Sequence, residues 1–189
     1  MFCLFVSIWH KFNDKDNYGL AALHNAAKYN NKETAALLLS NHAKINEKDK
    51  KEKTTLHYAA EFNNQETVEL LLSNHAKINE KDKKEKTTLH YAAEFNNQET
   101  VELLLSNHAK INEKDKKEKT TLHYVAEYNN KETTEILLSY GAKVNEYDNS
   151  EVTSLNNAAK YNNKETVELL LSHGAKVNWA VNFAQKEMV

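Results

Sequence analysis

Nine histidines stand among abundant serine, aspartate and glutamate in this chain of 189 residues. Such groups could in principle build a proton-transfer site or a metal site. Their spacing argues against both. A catalytic constellation is one site made of unique residues, whereas every candidate here occurs in three to five copies, as with His57, His90 and His123. Copies of a stacked helical unit lie ~10 Å apart, and a zinc ligand sits ~2 Å from its ion. Equivalent histidines of adjacent copies therefore cannot share an ion. Cys3 is the only cysteine, which excludes an intramolecular disulfide and a cysteine-based zinc site. Three glycines in the whole chain leave no Gly-rich phosphate loop. The residues predict no catalytic activity, no cofactor and no metal.

What positions these residues is a repeat. The stretch NEKDKKEKTTLHYAAEFNNQETVELLLSNHAKI, residues 46–78, recurs letter for letter over 79–111. A close variant covers 112–144, a looser one 145–177, and another precedes them over 13–45, marked by Ser40, Ser73, Ser106, Ser139 and Ser172. A fixed period of this length signals a stacked array, and the chain length suits one continuous array better than two globular domains. Within a unit, Thr54 is placed to cap a helix whose apolar stripe is Leu56, Ala59 and Ala60. Asn63 and Asn64 stop it, since Asn tolerates the left-handed conformation. A second helix opens with Glu66 near its positive end and turns Val68, Leu71 and Leu72 inward. Asn74, His75 and Ala76 end it, and a polar, charged excursion leads to the next unit. Helices this short cannot bury their apolar faces alone, so neighbours must stack.

The unit resembles an ankyrin repeat, whose pattern runs D-x-x-G-x-T-P-L-H-x-A-A-x-x-G-H, then x-x-V-x-x-L-L-x-x-G-A-x-x-N. Asp49, Thr54, Leu56, His57, Ala59, Ala60, Val68, Leu71, Leu72, Ala76 and Asn79 fall in register, and the likeness covers residues 13–177 with a partial unit before them. It implies an all-α solenoid of stacked helix-turn-helix repeats with β-hairpin-like loops. It also implies that His57, His90 and His123 tie neighbouring turns together by hydrogen bonds. The departures are specific. The Pro after the capping Thr is Thr55, Thr88, Thr121 and Ser154, and the hairpin Gly survives only as Gly19, becoming Glu52, Glu85, Glu118 and Glu151. The Gly after the second helix is kept as Gly141 and Gly174 but is His42, His75 and His108 elsewhere; at positive φ these would strain the backbone by ~1 kcal/mol each. Ala21 lacks the cap and Asn156 replaces the His, so the end units should be the weaker ones.

By position, the resemblance assigns partner binding to the loop tips and the inner face of the first helices. The tips are Lys50, Lys51 and Lys53, then Lys83, Lys84 and Lys86, then Lys116, Lys117 and Lys119. The helices add Glu61 and Phe62, Glu94 and Phe95, Glu127 and Tyr128, with Tyr29 and Tyr161 at the ends. Two accounts stand for the lysine-rich loop: a solvated face, or a binding tip. Two also stand for the aromatic column: packing between repeats, or a concave stripe for an extended, partly acidic peptide.

The expected function is a non-catalytic protein–protein interaction scaffold that takes a protein or extended peptide. The alternative is a structural spacer, a fragment of a longer array. Lys plus Arg number 25 against 27 Asp plus Glu, a net charge of −2, which speaks against nucleic-acid binding. Residues 1–12 are the most apolar run, too short for a membrane span and without a basic start or a cleavage site. Leu4 to Ser7 fall 33 before Leu37 to Ser40, so the run reads as the second helix of a truncated preceding repeat. Its Phe2–Trp9 edge is open to edge-to-edge self-association. Residues 178–189, with Trp179, Val181 and Phe183, read as a tail or partial cap. One cysteine and no Asn-x-Ser/Thr acceptor fit a reducing, cytoplasmic setting.

Overall fold

The computed structural model describes residues 13–177. The expectations for the truncated repeat, the Phe2–Trp9 edge and the C-terminal tail lie outside them. Among the described residues there are ten helices and no strands, so the fold is all-α. The chain divides into two compact units after Ala109. The first holds α1 (Ala22–Lys28), α2 (Lys32–Ser40), α3 (Thr55–Glu61), α4 (Gln65–Ser73), α5 (Thr88–Glu94) and α6 (Gln98–Ser106). The second holds α7 (Thr121–Glu127), α8 (Lys131–Ser139), α9 (Ser154–Lys160) and α10 (Lys164–Ser172).

Each helix pair is built the same way. Thr54 is the N-cap of α3, with extended backbone, and the ring of His57 accepts from its N–H at 3.1 Å. This is a capping box with histidine in the place of the usual Glu. Asn63 turns to φ 55° after α3, as do Asn30, Asn96, Asn129 and Asn162 after theirs, so asparagine closes every inner helix. The next helix follows without delay, and Glu66 sits in its first turn.

In the first unit α1, α3 and α5 pack side by side, and α2, α4 and α6 form a second row behind them. Leu23, Leu56 and Leu89 are buried between the inner helices, with Ala26, Ala27, Ala59, Ala60, Ala92 and Ala93 beside them. Alanine at those positions lets the helices come close, while each buried leucine contributes ~2 kcal/mol. Val68, Leu71, Val101 and Leu104 fill the space toward the outer row. Leu72, expected inside, is half-buried, and Thr67 is fully buried instead. In the second unit α7 packs on α9, and α8 on α10, around Leu122, Val125, Leu137, Leu155 and Leu170.

The loops, hairpin-like in the resemblance, are turns with no strand among the described residues. Their regularity comes from aspartate. Asp49 Oδ1 accepts from the N–H groups of Lys51 and Lys53, both at 2.8 Å, and Oδ2 accepts from the Tyr58 hydroxyl at 2.6 Å. Asp82 does the same with Tyr91, and Asp115 with Tyr124. Successive loops join through one backbone bond, Lys50 N–H to Tyr18 C=O at 3.1 Å and Lys83 N–H to Lys51 C=O at 2.9 Å in the first unit, and Asn149 to Lys117 in the second.

Candidate functional site

The histidines are the first groups to place. His24, His57, His90 and His123 are fully buried. The Nδ1 of His57 faces its own N-cap, so Nε2 carries the proton and donates to the Lys86 carbonyl at 3.2 Å. His24 reaches the Glu47 carbonyl at 3.0 Å, and in the second unit His123 reaches Val152 at 3.1 Å. Burial pulls the pKa of His57 down to about 4, and those of His24 and His123 in the same direction. A ring kept neutral, with both nitrogens engaged, is neither a general base nor a ligand. His24 and His57 each tie their repeat to the next in the first unit, and His123 does so in the second. Among the described residues no cluster of three His, Cys, Asp or Glu is placed to hold a metal ion.

Asparagine supplies a second set of ties that the sequence reading missed. Asn64 Nδ2 donates to the Ala27 carbonyl of the preceding repeat, Asn97 to Ala60, and Asn163 to Ala126. Asn13, Asn46, Asn112 and Asn145 each accept from a backbone N–H 31 residues on. The available signal was recurrence of Asn at fixed positions in every copy, even where neighbouring residues vary.

The tip lysines divide into two classes. Lys50, Lys51, Lys83 and Lys84 are exposed, as are Lys116 and Lys117 in the second unit. Lys53 is only 7% exposed: its Nζ sits 2.7 Å from Glu61 Oε2 and 3.9 Å from the centre of the Tyr91 ring. Lys86 and Glu94 repeat the pair at 2.7 Å, and Lys119 and Glu127, half-buried, at 2.9 Å. These lysines, expected at the tips, lie beneath them. The Lys53 ammonium is covered by the Tyr91 ring of the next repeat and held by Glu61.

The aromatic column stands at the C-termini of the inner helices. Phe62 is 46% exposed and Phe95 51%, with Tyr29, Tyr128 and Tyr161 comparable or higher. In the first unit the tips and the column meet around a groove of about 470 Å³. Lys51, Lys83 and Lys84 line it from the tips, Tyr91 from α5 and Phe95 from its C-cap, and the Lys53–Glu61 and Lys86–Glu94 pairs with Asp82 complete it. Lys50 and Phe62 are not among its walls. In the second unit Lys116, Lys117, Glu127 and Tyr128 occupy the equivalent positions on one repeat.

No described helix is long and apolar enough to cross a membrane. A family model for ankyrin repeats matches the chain over residues 2–82, 23–115 and 89–179. No curated protein matches it.

Proposed function

The chain belongs to the ankyrin repeat family, whose repeats generally serve as protein–protein interaction modules, and from that premise we propose that it is a non-catalytic scaffold binding a partner protein through its loop tips and inner helices. The groove of the first unit carries this reading: exposed lysines from two successive tips face the half-exposed ring of Phe95, with the buried Tyr91 ring beside it. Exposed aromatics beside flexible cations are effective interface anchors. Lys51, Lys83, Lys84 and Phe95 are the proposed contacts in the groove, Lys50 and Phe62 further contacts outside it on the same unit, and Lys116, Lys117 and Tyr128 those of the second unit. Lys53, Glu61, Lys86, Glu94, Lys119 and Glu127 support the surface from below as ion pairs.

The test is the affinity of captured partner proteins for the wild-type chain and for the Phe62→Ser/Phe95→Ser variant. The expected result is a loss of about thirtyfold or more with unchanged far-ultraviolet circular dichroism. Equal affinity would place binding elsewhere, and loss of helicity would make the rings packing elements.

A further inference from the structure

We propose that the groove of the first unit receives an acidic segment of the partner in a polyproline II conformation, with carboxylates at every third residue. This rests on the reading of that face as a protein-binding surface. The partner's chemistry follows from which charges the groove has left uncommitted. Lys53 and Lys86 are engaged by Glu61 and Glu94 at 2.7 Å. The two oxygens of Asp82 already accept three hydrogen bonds, from the N–H groups of Lys84 and Lys86 and from the Tyr91 hydroxyl. What remains is three exposed ammonium groups, those of Lys51, Lys83 and Lys84, which form no ion pair among the described residues. Glu52 and Glu85, on the same loops, do not line the groove. The lining is therefore net positive, with an apolar wall formed by Tyr91 and Phe95.

Spacing selects the conformation. Lys51 and Lys84 are equivalent positions in consecutive repeats, and side-by-side helices set such positions ~10 Å apart. A β-strand returns a side chain to the same face every second residue, at ~6.6 or ~13 Å, and misses that interval. A polyproline II helix returns one every third residue, at ~9.3 Å, and matches it. Carboxylates at i and i+3 then meet Lys51 and Lys84, and an intervening apolar side chain rests on Phe95.

The experiment is fluorescence anisotropy on the full chain with two labelled 12-residue peptides of identical composition. One is four Glu-Pro-Leu triplets; the other carries its four Glu in a block. The triplet peptide is expected to bind about fivefold more tightly, and Lys51→Gln/Lys84→Gln to weaken it by about tenfold. Both lysines are exposed, so the variant's thermal melt should overlay the wild type. Equal affinity of the two peptides on the wild-type chain would overturn the spacing, and unaltered binding by the variant would overturn the location. Tighter binding of a single-stranded oligonucleotide would reassign the groove to nucleic acid. Absence of binding by both peptides would overturn the acidic segment. Partner loss in Phe62→Ser/Phe95→Ser would still sustain the broader interaction reading.

Discussion

His57 is the residue on which stability and acidity meet. In the unfolded chain its ring takes up a proton near pH ~6.5, but in the fold burial lowers that to about 4, against the pull of the Lys86 carbonyl and the Asp82 charge. Between those values the unfolded state binds more protons, so stability is complete above the window and is lost as the pH falls through it. The stake at His57 alone is on the order of 3 kcal/mol. His24 and His123 shift the same way. Glu47, Glu80 and Glu146, lowered by hydrogen bonds from Lys15, Lys48 and Lys114, extend the loss at lower pH. Urea midpoints should be flat above about pH 7 and fall steadily toward pH 4; His57→Asn should flatten that fall. It should also cost ~1 kcal/mol at neutral pH by removing the bond to the Lys86 carbonyl, which keeps only that from Asp82 N–H. A second residue-scale prediction concerns strain. His75 sits at φ 63°, where Gly141 and Gly174 occupy the equivalent place, so His75→Gly should raise stability by ~1 kcal/mol in the same assay. The histidine roles and this strain were legible through the resemblance to the ankyrin pattern. The hydroxyl–carboxylate bonds of Tyr58, Tyr91 and Tyr124 were not, although Tyr and the acid nine residues before it recur together. Nor was the burial of Lys53, which depends on the neighbouring repeat's Tyr91 and not on its own polar loop.

At the scale of the helix, the departures from the family pattern become measurable. Thr55 and Thr88 stand at the first position of α3 and α5, where the N–H has no intrahelical partner. Their hydroxyls are buried and unpaired, which is unfavourable. Thr54, just before, is already extended at φ −90° and ψ 170°, as a residue preceding proline must be. Thr55→Pro/Thr88→Pro should therefore raise the urea midpoint by an amount equivalent to ~1 kcal/mol or more per site, with the m-value unchanged. A lower midpoint would mean those amides or hydroxyls serve a neighbour. The helices themselves were readable because three signals coincide: a capping threonine, an apolar stripe with small residues, and an asparagine free to turn left-handed. The loops were less so. Their polar residues suggest a turn and only the resemblance implies a hairpin-like form; the carboxylate of Asp49 gathers the backbone into a turn that leaves one backbone hydrogen bond between neighbouring loops.

Across the molecule, the internal ties thin toward the ends of the described array. The first inner helix has Ala21, Asn25 and Lys28 where the middle ones have a capping Thr, Tyr and Glu, and Leu20 in place of the buried Lys. The last has Val152, Asn156, Asn157 and Lys160. Asn156 still serves the cap, accepting from Thr153 N–H at 3.0 Å, but it takes the place of the histidine that ties the next repeat. Native-state hydrogen exchange should accordingly find the amides of α1, α9 and α10 opening before those of α3 and α5. Uniform protection would show that helix packing alone sets the stability of each repeat. The surface follows the opposite gradient, because the paired tips and rings are fullest where the repeats are identical. Amine-reactive footprinting of the chain, free and bound to a captured partner, addresses the interaction surface most directly. Binding should protect Lys50, Lys51, Lys83 and Lys84 while Lys32 and Lys44 stay reactive. Protection of those two with the tips unchanged would contradict this assignment of the surface.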